Sequence, residues 1–412
     1  MTGRLFFLLS LSGCVICERH CRYQDVLDYL NLSMTNELYQ MTRPVNNYKQ
    51  PTKVYVELVL YAILDVVEKE QKFIPYVWMV MTWHNDFISW DPREFCGINN
   101  ISLPADYMWK PDLTIEEMTE RDRAPPSPYL SINDKGAVEV QNDQVLVSTC
   151  RMHIYKFPFD IQSCNLSIKS VIHTIRDIRL YAVDNSSEAT EWSREVMRTQ
   201  YEWLFINMTV TSHNTSDFTS QDVIIYTINM KRRSILYIVN FLLPVLFFLC
   251  LDLSSFLISD DGGEKLSFKV TVLLAVTVLQ LILNEILPAS SNRIPLIAVY
   301  CIGIFGFMML SLLETILVMH LMQKDSKSDQ SLSEDGHKPT NFHDDNSALG
   351  KLSQELREME RTLTRLLNNR KDGEKHGYWT QLAFRVNKGF FIFYVTLVSL
   401  FLVVLFSKWI MD

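Results

Sequence analysis

Residues 264–285 read EKLSFKVTVLLAVTVLQLILNE, an apolar segment with a carboxylate at each end. As an α-helix, the segment is long enough to cross about 30 Å of hydrocarbon. With about 3.6 residues per turn, side chains three or four residues apart fall along one edge of such a helix. This edge, which we call the stripe, consists of Glu264, Ser267, Thr271, Leu274, Val278, Ile282 and Glu285. The pattern predicts a membrane-spanning helix with one distinctive edge.

The stripe has carboxylates at both ends, hydroxyls in its first half and aliphatic side chains in its middle and second half. Several copies around an axis would form rings of carboxylates and hydroxyls, as in cation channels. Five glutamates at about 6 Å from an axis lower the energy of a monovalent cation by roughly 3 kcal/mol even in water. A narrow ring of Leu274 offers water no hydrogen bonds and closes by dewetting. The stripe therefore favours a cation-conducting pore.

The faces away from the stripe include Phe268, Val272, Leu273 and Leu279, and we interpret them as wholly apolar. A helix with a weakly polar edge can also pack single hydroxyls against a neighbouring helix. That is the simpler interpretation of any one Ser or Thr. The two terminal carboxylates are what favour a pore.

Three further apolar stretches lie in the second half of the chain, and each is long enough to span a bilayer. Within a membrane every backbone polar group needs an internal partner, so all four stretches are predicted to be helices. Pro244 is expected to kink the first of them. The predicted spans are residues 235–257, 265–287, 295–322 and 390–410.

The N-terminal residues have the layout of a secretory signal peptide, which we place at residues 1–17. Six Asn-x-Ser/Thr sequons follow, and they stop before the first predicted span. The sequons begin at Asn31, Asn100, Asn165, Asn185, Asn207 and Asn214. We therefore expect an exported, glycosylated domain at residues 18–233, and a multi-pass protein of the plasma membrane with both termini outside.

Residues 323–388 are then cytoplasmic, and they hold most of the Lys and Arg that follow the first span. Within them, residues 325–346 are polar and expected to be disordered. Residues 347–370 repeat leucines and arginines at helical spacing, which predicts an amphipathic helix with a basic stripe. Its arginines are Arg357, Arg361 and Arg365.

Residues 18–233 consist of short alternating runs broken by turn-forming residues, which is typical of β-strands. Val54, Val56 and Leu58 are expected to face a core, with Tyr55 and Glu57 on the other side. A β-sandwich buries such half-apolar strands. The net charge of -8 argues against nucleic acid as a partner. The histidines lack metal-ligand spacing and no nucleophile has a positioned base, so neither an enzyme nor a cofactor is expected.

Cys150 and Cys164 enclose a segment whose centre reads Phe157-Pro158-Phe159-Asp160. This spacing and centre resemble the signature of the Cys-loop receptor family, and in particular its serotonin type-three receptor subunits. Further similar motifs are Tyr61-Ala62-Ile63-Leu64, Trp109-x-Pro111-Asp112, Gly263-Glu264-Lys265-x-Ser267-Phe268-Lys269 and Leu287-Pro288. The resemblance implies a pentameric ligand-gated ion channel with a β-sandwich extracellular domain, a four-helix transmembrane bundle and a Cys150–Cys164 disulfide.

The resemblance also implies roles for single residues. Phe157, Pro158, Phe159 and Asp160 would press on the linker that contains Pro288. Arg232 would lie at the junction between the domains, and the three cytoplasmic arginines would frame the cytoplasmic exits. Gly262-Gly263-Glu264 stands where anion channels of the family carry a proline-alanine pair, so selectivity for monovalent cations is implied.

Recognition of an amine in the family needs an aromatic box, because each ring face attracts a desolvated ammonium by up to about 2 kcal/mol. Several box positions depart from the pattern here: Val171 replaces a tryptophan, Ser220 or Gln221 a tyrosine, Glu116 an asparagine, Val80 an arginine and Ser131 a tyrosine. The candidate ligand-binding residues are Trp78, Glu116, Glu117, Tyr129, Trp203 and Tyr226. The resemblance thus implies a poor serotonin site between two copies, and an accessory subunit of a postsynaptic heteropentamer.

Two other functions stay open. One is a channel gated by another ligand, such as a different amine, a metal ion or protons, because Glu116 and Glu117 can receive a cation. The other is a non-conducting assembly subunit with a vestigial pore, against which the intact stripe argues. In both cases the partners are other receptor subunits and membrane lipid.

Four further cysteines lie outside the Cys150–Cys164 segment and the predicted signal peptide. Cys21 and Cys96 lie in the exported part, where a disulfide persists, and the sequence leaves open whether they pair. Cys250 and Cys301 lie in predicted spans and are expected to be reduced packing residues.

Overall fold

The computed structural model describes residues 21–32, 39–120, 127–198, 200–214, 220–258, 263–287, 293–333, 359 and 378–411. They belong to two compact units. The first unit lies within Met1–Met152 and Ile161–Arg232, and the second within His153–Asp160 and Arg233–Asp412. The predicted signal peptide, Pro288, and the arginines Arg357, Arg361 and Arg365 lie outside the described residues.

The first unit contains two β-sheets. In the larger, eight-stranded sheet the strand order is β10-β1-β2-β7-β6-β3, and β8 pairs with both β2 and β5. Its strands are β1 (Thr52–Val67), β2 (Lys72–His84), β3 (Asn100–Pro104), β5 (Met118–Glu120), β6 (Tyr129–Asn133), β7 (Ala137–Val145), β8 (Val147–Thr149) and β10 (Ile178–Ala182). The four-stranded sheet has the order β11-β12-β9-β4. Its strands are β4 (Leu113–Ile115), β9 (Ile161–Ser170), β11 (Trp203–Asn214) and β12 (Asp222–Arg232).

Alternating side chains of β1 build the core, as the sequence predicted. Val54, Val56 and Leu58 are at most 1% exposed, whereas Tyr55 between them is 42% exposed. The Tyr226 hydroxyl on β12 donates to Val56 O at 3.1 Å, which ties the two sheets together across the core. These contacts form the β-sandwich that the alternation favoured.

The described residues of the first unit form two disulfides. Cys150 and Cys164 are bonded, with 5.2 Å between their Cα atoms. Cys21 and Cys96 are also bonded, which answers the question that the sequence left open. This bond joins the segment of helix α1 (Tyr23–Tyr29) to the loop after β2. Because it spans 75 residues, it stabilises the fold by about 4 kcal/mol in the chain-entropy model.

The described part of the second unit consists mainly of helices. The first unit contains a further helix, α2 (Ser186–Val196), beside its sheets. Helix α2 packs on β11 of the first unit. The first apolar stretch consists of α3 (Ile235–Tyr237), a π-helical turn (Ile238–Leu242) and α4 (Leu243–Ser255). It is followed by α5 (Glu264–Ile286), α6 (Leu296–Ser333) and α7 (Tyr378–Met411). By length and composition, four helical stretches of the described residues are able to cross a membrane.

The π-helical turn lies where the sequence predicted a kink. Pro244 follows it at the start of α4 and has no N–H to offer the preceding turn. A π-turn accommodates such a missing bond. The Tyr300 hydroxyl of α6 donates to Leu242 O at 3.0 Å and so satisfies a carbonyl in this turn. Helix α6 thus supports the first apolar stretch next to Pro244.

Two helices are longer than the predicted spans. Helix α6 continues to Ser333, although residues 325–346 were expected to be disordered. This expectation is wrong for residues 325–333, a stretch that contains neither Gly nor Pro. Helix α7 begins at Tyr378 rather than at residue 390. Polarity alone therefore did not mark the ends of these helices.

Candidate functional site

The stripe occupies one uncovered edge of α5. Its seven side chains are all exposed, with Leu274 at 65%, Val278 at 52% and Ile282 at 43%. The opposite edge packs inward, and Val272 and Val276 on it are 6% and 1% exposed. The described helices of this chain thus leave the stripe free along its whole length.

Local chemistry determines how the stripe begins and how its hydroxyls point. Gly263 precedes α5 with a φ of 78°, a left-handed conformation that favours glycine. Glu264 is therefore the first helical residue, with its carboxylate at the positive end of the helix. The Thr271 hydroxyl donates to Ser267 O at 2.9 Å within the helix. Its oxygen keeps lone pairs to offer along the stripe.

The interpretation that all other faces of α5 are apolar is wrong. Lys265 and Lys269 lie on the buried edge and are 2% and 3% exposed. The Lys269 Nζ donates to Ser311 Oγ at 2.5 Å and to Ser311 O at 3.1 Å. It also lies 4.2 Å from the centre of the Phe256 ring. Both ammonium groups thus point away from the stripe, because polar and aromatic partners on α6 and after α4 receive them.

Lys269 belongs to a network that takes one side chain from each apolar stretch. Ser311 Oγ on α6 donates to Asp252 Oδ1 on α4 at 3.1 Å. The Tyr394 hydroxyl on α7 donates to the other oxygen of Asp252 at 2.7 Å. We call Asp252, Lys269, Ser311 and Tyr394 the four-helix network. Because burying a charge is costly unless it is paired and hydrogen-bonded, this network favours one arrangement of the four helices.

The sequence carried a signal for this network. Asp252 and Lys269 are charged residues inside apolar stretches, and such residues usually face a protein interior and have a partner. The sequence pattern did not predict that Ser311 bridges Lys269 and Asp252.

The tip of the Cys150–Cys164 segment, residues 153–160, belongs to the second unit. The backbone N–H of Leu296, the first residue of α6, donates to Tyr155 O at 2.9 Å. Phe157 is fully buried, and its ring centre lies 4.8 Å from that of Tyr237. The rings of Phe159 and Trp409, near the end of α7, are 5.9 Å apart. The tip therefore contacts the first, third and fourth apolar stretches.

Other residues of the predicted coupling region are placed as follows. Phe157 and Pro158 are joined by a cis peptide bond. Asp160 is buried, at 2% exposure. The Arg293 guanidinium, from the linker before α6, lies 5.9 Å from the centre of the Tyr155 ring. This is a contact between the tip and that linker within the described residues.

Arg232 is the last residue of the first unit, and its side chain is fully buried. Its Nη1 lies 2.5 Å from Glu68 Oε1 and 2.7 Å from Glu202 Oε1. Burial raises the pKa of Glu68 above its ordinary value, and the Arg232 charge opposes this shift. A guanidinium matches carboxylates well through its several N–H donors. The first unit thus ends in a buried charge cluster.

Two predicted ligand-binding residues are placed where they cannot face a ligand. Trp203 is 3% exposed, because the Arg232 guanidinium covers its ring at 4.2 Å. Tyr226 is 1% exposed and points into the core, where burial raises its pKa. The ligand-binding interpretation of both residues is therefore wrong. Strand parity carried the signal for Tyr226, since it alternates with Thr227 and Asn229 and shares its side with Ile224 and Ile228.

Two other predicted residues, Glu116 and Glu117, follow β4 of the four-stranded sheet and already have partners. Glu117 accepts from the Ser167 backbone N–H at 2.7 Å and from its hydroxyl at 2.6 Å. Glu116 pairs with Lys169 at 3.2 Å. Val171, which replaces the box tryptophan, is 61% exposed. Val171 thus presents an aliphatic side chain at this position.

An anchor beneath Val171 was not predicted. Asp112 accepts from the Ile172 backbone N–H at 2.9 Å and from the Ser170 hydroxyl at 2.9 Å. The His173 Nδ1 lies 2.6 Å from Asp112 Oδ1. Burial raises the pKa of Asp112, but these hydrogen bonds together hold it below its ordinary value. The loop that carries Val171 is thereby fixed to Asp112.

Trp78 and Tyr129 lie on the outward side of the eight-stranded sheet. Trp78 is half-buried, and its ring centre is 5.0 Å from that of Tyr61. Tyr129 is 60% exposed, and Ser131 lies two residues further along the same strand. The candidate binding residues therefore fall into two groups on two different sheets.

The asparagines of the predicted sequons all lie in the first unit. Asn31, Asn100, Asn165 and Asn185 are exposed, Asn207 is half-buried, and Asn214 ends β11. Asn185 caps α2, because its side chain accepts from the backbone N–H groups of Ser187 and Glu188. Its placement is thus compatible with both a cap and a glycan acceptor.

Comparison with known protein families decides the identity of the fold. A family model described as "Neurotransmitter-gated ion-channel ligand binding domain" matches residues 28–234. A second, "Neurotransmitter-gated ion-channel transmembrane region", matches residues 241–341. This chain belongs to the neurotransmitter-gated ion channel family. Members of the family are ligand-gated receptors rather than enzymes, which confirms the expectation that this chain is not an enzyme.

Similar curated proteins include serotonin receptor subunits. Over 319 residues the chain is 32% identical to 5-hydroxytryptamine receptor 3A of Cavia porcellus, covering 76% of this chain and 65% of that protein. It is 30% identical over 324 residues to human 5-hydroxytryptamine receptor 3B, covering 78% and 73%. It is also 31% identical over 284 residues to human neuronal acetylcholine receptor subunit alpha-9, covering 68% and 58%. The chain thus spans less than two thirds of the first of these relatives.

Proposed function

We propose that this chain is one subunit of a pentameric, transmitter-gated, cation-selective channel of the plasma membrane, and that α5 lines the pore. The stripe supports this proposal, because its seven side chains share one edge that the other described helices leave uncovered. A pore is built from such an edge when copies surround an axis.

Cation selectivity follows from where the charges of α5 lie. Glu264 and Glu285 are exposed at the two ends of the stripe, while Lys265 and Lys269 are buried on the other edge. Five carboxylates at about 6 Å lower the energy of a monovalent cation by roughly 3 kcal/mol in water. A ring of lysines facing the same axis would cancel that attraction. By holding Lys269 away from the stripe, the four-helix network contributes to selectivity.

The gate of the proposed channel is the ring of Leu274. Its side chain is the most exposed of the aliphatic members of the stripe, at 65%. A ring of leucines empties of water when it is narrow and rehydrates when the helices tilt apart. The tip of the Cys150–Cys164 segment, with Arg232 and Pro288, is the proposed path of gating, because Phe157 and Phe159 pack on the apolar helices.

An accessory role in a heteropentamer follows from the binding residues. Val171 stands where the family box has its main ring, and Trp203 and Tyr226 are buried. By contrast, Trp78 and Tyr129 present aromatic surface on the other sheet. This subunit therefore supplies the Trp78 side of a serotonin site to a neighbour that supplies the missing rings.

The rival ligands have less support. The Glu116 and Glu117 carboxylates that were expected to receive another cation are already bonded to Lys169 and Ser167. Among the described residues, no three His, Cys, Asp or Glu side chains are grouped so as to hold a metal ion. An assembly subunit without conduction has no need of exposed carboxylates at both ends of the stripe.

Electrophysiology of substituted cysteines tests the pore. In a Cys250→Ser background, Thr271→Cys and Val278→Cys are expected to react with a water-soluble thiol reagent and to change the current. The matched controls, Val272→Cys and Val276→Cys, lie on the buried edge and are expected to stay unmodified. Reaction at the controls but not at the stripe would overturn the proposal.

Co-expression tests the accessory role. Cells that express this chain alone are expected to give little current with serotonin, whereas cells that also express a 5-hydroxytryptamine receptor 3A subunit give a current with altered conductance. In the mixture, Trp78→Ala is expected to raise the serotonin concentration needed for half-maximal current. A large serotonin current from the chain alone would contradict the accessory role and leave the pore assignment intact.

A further inference from the structure

Helix α2 covers the free edge of the four-stranded sheet in an unusual way. Strand β11 is the edge strand, so among the described residues the backbone of its outer side has no neighbouring strand. Side chains of α2 bond to that backbone instead. Ser186 Oγ accepts from Val210 N–H at 2.8 Å, Thr190 Oγ1 from Met208 N–H at 3.0 Å, and Arg194 Nη2 donates to Ile206 O at 2.9 Å.

The spacing of these three side chains matches the strand. They are four residues apart on α2, or about 6 Å along a helix, and their partners are two residues apart on β11, or about 6.6 Å along a strand. We call Ser186, Thr190 and Arg194 the edge ladder. It blocks pairing with another strand at this edge, and it holds the helix at a fixed distance from the sheet.

An open polar groove of about 470 Å³ lies over the edge ladder. Ser187 and Glu191 line it from the helix, and Asn207 and Thr209 line it from the strand. Asn207 and Thr209 point the same way because they are two residues apart in β11, whereas Met208 between them is fully buried in the core. Hydroxyl, amide, carboxylate and guanidinium groups therefore meet in one open cleft.

Asn207, Met208 and Thr209 form a sequon, so a glycan acceptor lies inside the groove. A β-bulge at Ile206, between the Phe205 and Asn207 pairings, sets the direction of the asparagine. The Asn229 Nδ2 donates to Asn207 Oδ1 at 2.7 Å. This bond uses the amide oxygen and leaves the amide nitrogen as the atom that accepts a sugar.

We propose that Asn207 carries an N-linked glycan whose first N-acetylglucosamine residues are seated in this groove. The groove volume is in the range of small-molecule sites, about 300–1,000 Å³. Glu191 accepts hydrogen bonds from sugar hydroxyls, and Arg194 and Ser187 donate to hydroxyl or acetamide oxygens. The seated sugar bridges α2 and β11 along the edge ladder.

The attachment step is an ordinary glycosyl transfer. The Asn207 Nδ2 attacks C1 of the first N-acetylglucosamine of an oligosaccharide linked to a lipid diphosphate. The bond from C1 to the diphosphate oxygen breaks, the lipid diphosphate leaves with the electron pair, and Nδ2 loses one proton. The Thr209 hydroxyl completes the sequon that the transferase recognises.

Site-resolved mass spectrometry tests the attachment. The full chain is purified from cells that glycosylate secreted proteins. An Asn214→Gln background is needed, because no Lys or Arg separates Asn207 from Asn214 in a tryptic peptide. The peptide with Asn207 is expected to carry a glycan, and Thr209→Val is expected to remove it. An unmodified Asn207 in the parent protein would overturn the proposal.

Glycosidase digestion of the folded protein tests the seating. A glycosidase that cleaves the sugar–asparagine bond is expected to release the Asn207 glycan at least ~10-fold more slowly than the glycan on the exposed Asn100, and at a similar rate after denaturation. Glu191→Ala is expected to speed release from Asn207. Glu195→Ala, one turn further along α2 and outside the groove, is expected to leave it unchanged. Equal release from Asn207 and Asn100 in the folded protein, or no effect of Glu191→Ala, would overturn the seating.

Discussion

Arg232 in the first compact unit and Lys269 in the second are buried cations, and the two are held differently. Arg232 in the first unit contacts the carboxylates of Glu68 and Glu202 and covers the ring of Trp203. Lys269 in the second unit donates to Ser311, which passes the interaction on to Asp252. A guanidinium binds two carboxylates through separate N–H groups, whereas an ammonium is a point charge on a flexible stem.

The two clusters stabilise different parts of the chain. Arg232, Glu202 and Trp203 lie at one end of the β11–β12 pair, where Trp203 is opposite Arg232 in register. Glu68, which also contacts Arg232, follows β1 of the eight-stranded sheet, so their cluster joins the ends of the two sheets of the first unit. The four-helix network instead takes one residue from each apolar stretch, so its loss affects the packing of all four. We therefore expect a large local effect at Arg232 and a smaller, more widely spread effect at the network.

Removing Arg232 is the largest expected effect. Arg232→Ala leaves Glu68 and Glu202 without their cation, and Glu68 is only 12% exposed. Removing one partner of a buried ion pair costs about 3–5 kcal/mol. Thermal melting of the detergent-solubilised channel, followed by size-exclusion chromatography, and the amount of protein at the cell surface measure the loss.

Two further variants separate charge from packing at Arg232. Arg232→Lys keeps the charge but loses the planar group over Trp203, and is expected to melt between the parent and Arg232→Ala. Arg232→Met combined with Glu68→Gln and Glu202→Gln removes the unpaired carboxylates and is expected to recover most of the stability. A triple variant that melts no higher than Arg232→Ala contradicts the charge explanation.

Asp252→Asn is the next largest expected effect. The variant keeps the shape of the side chain but removes the charge opposite Lys269, and hydrogen bonds to a charged group contribute about 1.5–3 kcal/mol. The melting temperature of the solubilised channel and its cell-surface amount are both expected to fall, by less than for Arg232→Ala.

Two further variants provide a scale for the stability loss caused by Asp252→Asn. Tyr394→Phe removes one donor to Asp252 and is expected to cost less than the loss of the carboxylate. Ser254→Ala removes an exposed hydroxyl that bonds only within its own helix, to Leu251 O, and is expected to be nearly neutral. If Asp252→Asn behaves like Ser254→Ala, the network contributes nothing to helix packing.

Sequence patterns predicted the features that depend on local periodicity. The stripe on α5 and the inward side chains of β1 follow from periods of 3.6 and 2 residues, which hold wherever a helix or strand forms. Non-local contacts were missed. Trp203 was predicted to bind ligand, but its register places it beneath the Arg232 guanidinium. Lys269 was assigned to an apolar face, but it donates a hydrogen bond to Ser311.

Some of the misses had a usable signal and others had none. Tyr226 has the parity of the core-facing residues Ile224 and Ile228, so its burial was predictable from the strand pattern. The Cys21–Cys96 bond and the edge ladder join segments that are distant in sequence or differ in type, and spacing alone does not predict them. Assigning binding residues therefore requires the strand register in addition to the family resemblance.

Gly303→Ala tests the apolar contacts that surround the four-helix network. A Cβ on Gly303 of α6 would lie 2.3 Å from the Phe401 ring of α7, so the ring must move. Overpacking of this kind costs about 1–3 kcal/mol. Gly306→Ala, one turn along the same helix, meets no atom within 4 Å and is the matched control. A melting temperature that falls equally for both variants would contradict the close packing of α6 on α7.

Glu57 gives the smallest expected effect and the sharpest contrast, because it faces like charges instead of a cation. Burial, followed by the charges of Asp184 and Glu139, raises the pKa of Glu57. Its contribution to stability is therefore fully present below the ordinary carboxyl pKa and is lost as the pH rises through the raised value. Glu57→Gln is expected to melt slightly above the parent at about pH 7.5, with the difference vanishing near about pH 4.

Glu70→Gln is the control and is expected to melt below the parent at neutral pH, because the hydrogen bond with Lys72 lowers the pKa of Glu70. A Glu57→Gln protein that melts below the parent at neutral pH would show that the carboxylate is stabilised by a cation after all, as Glu68 is by Arg232.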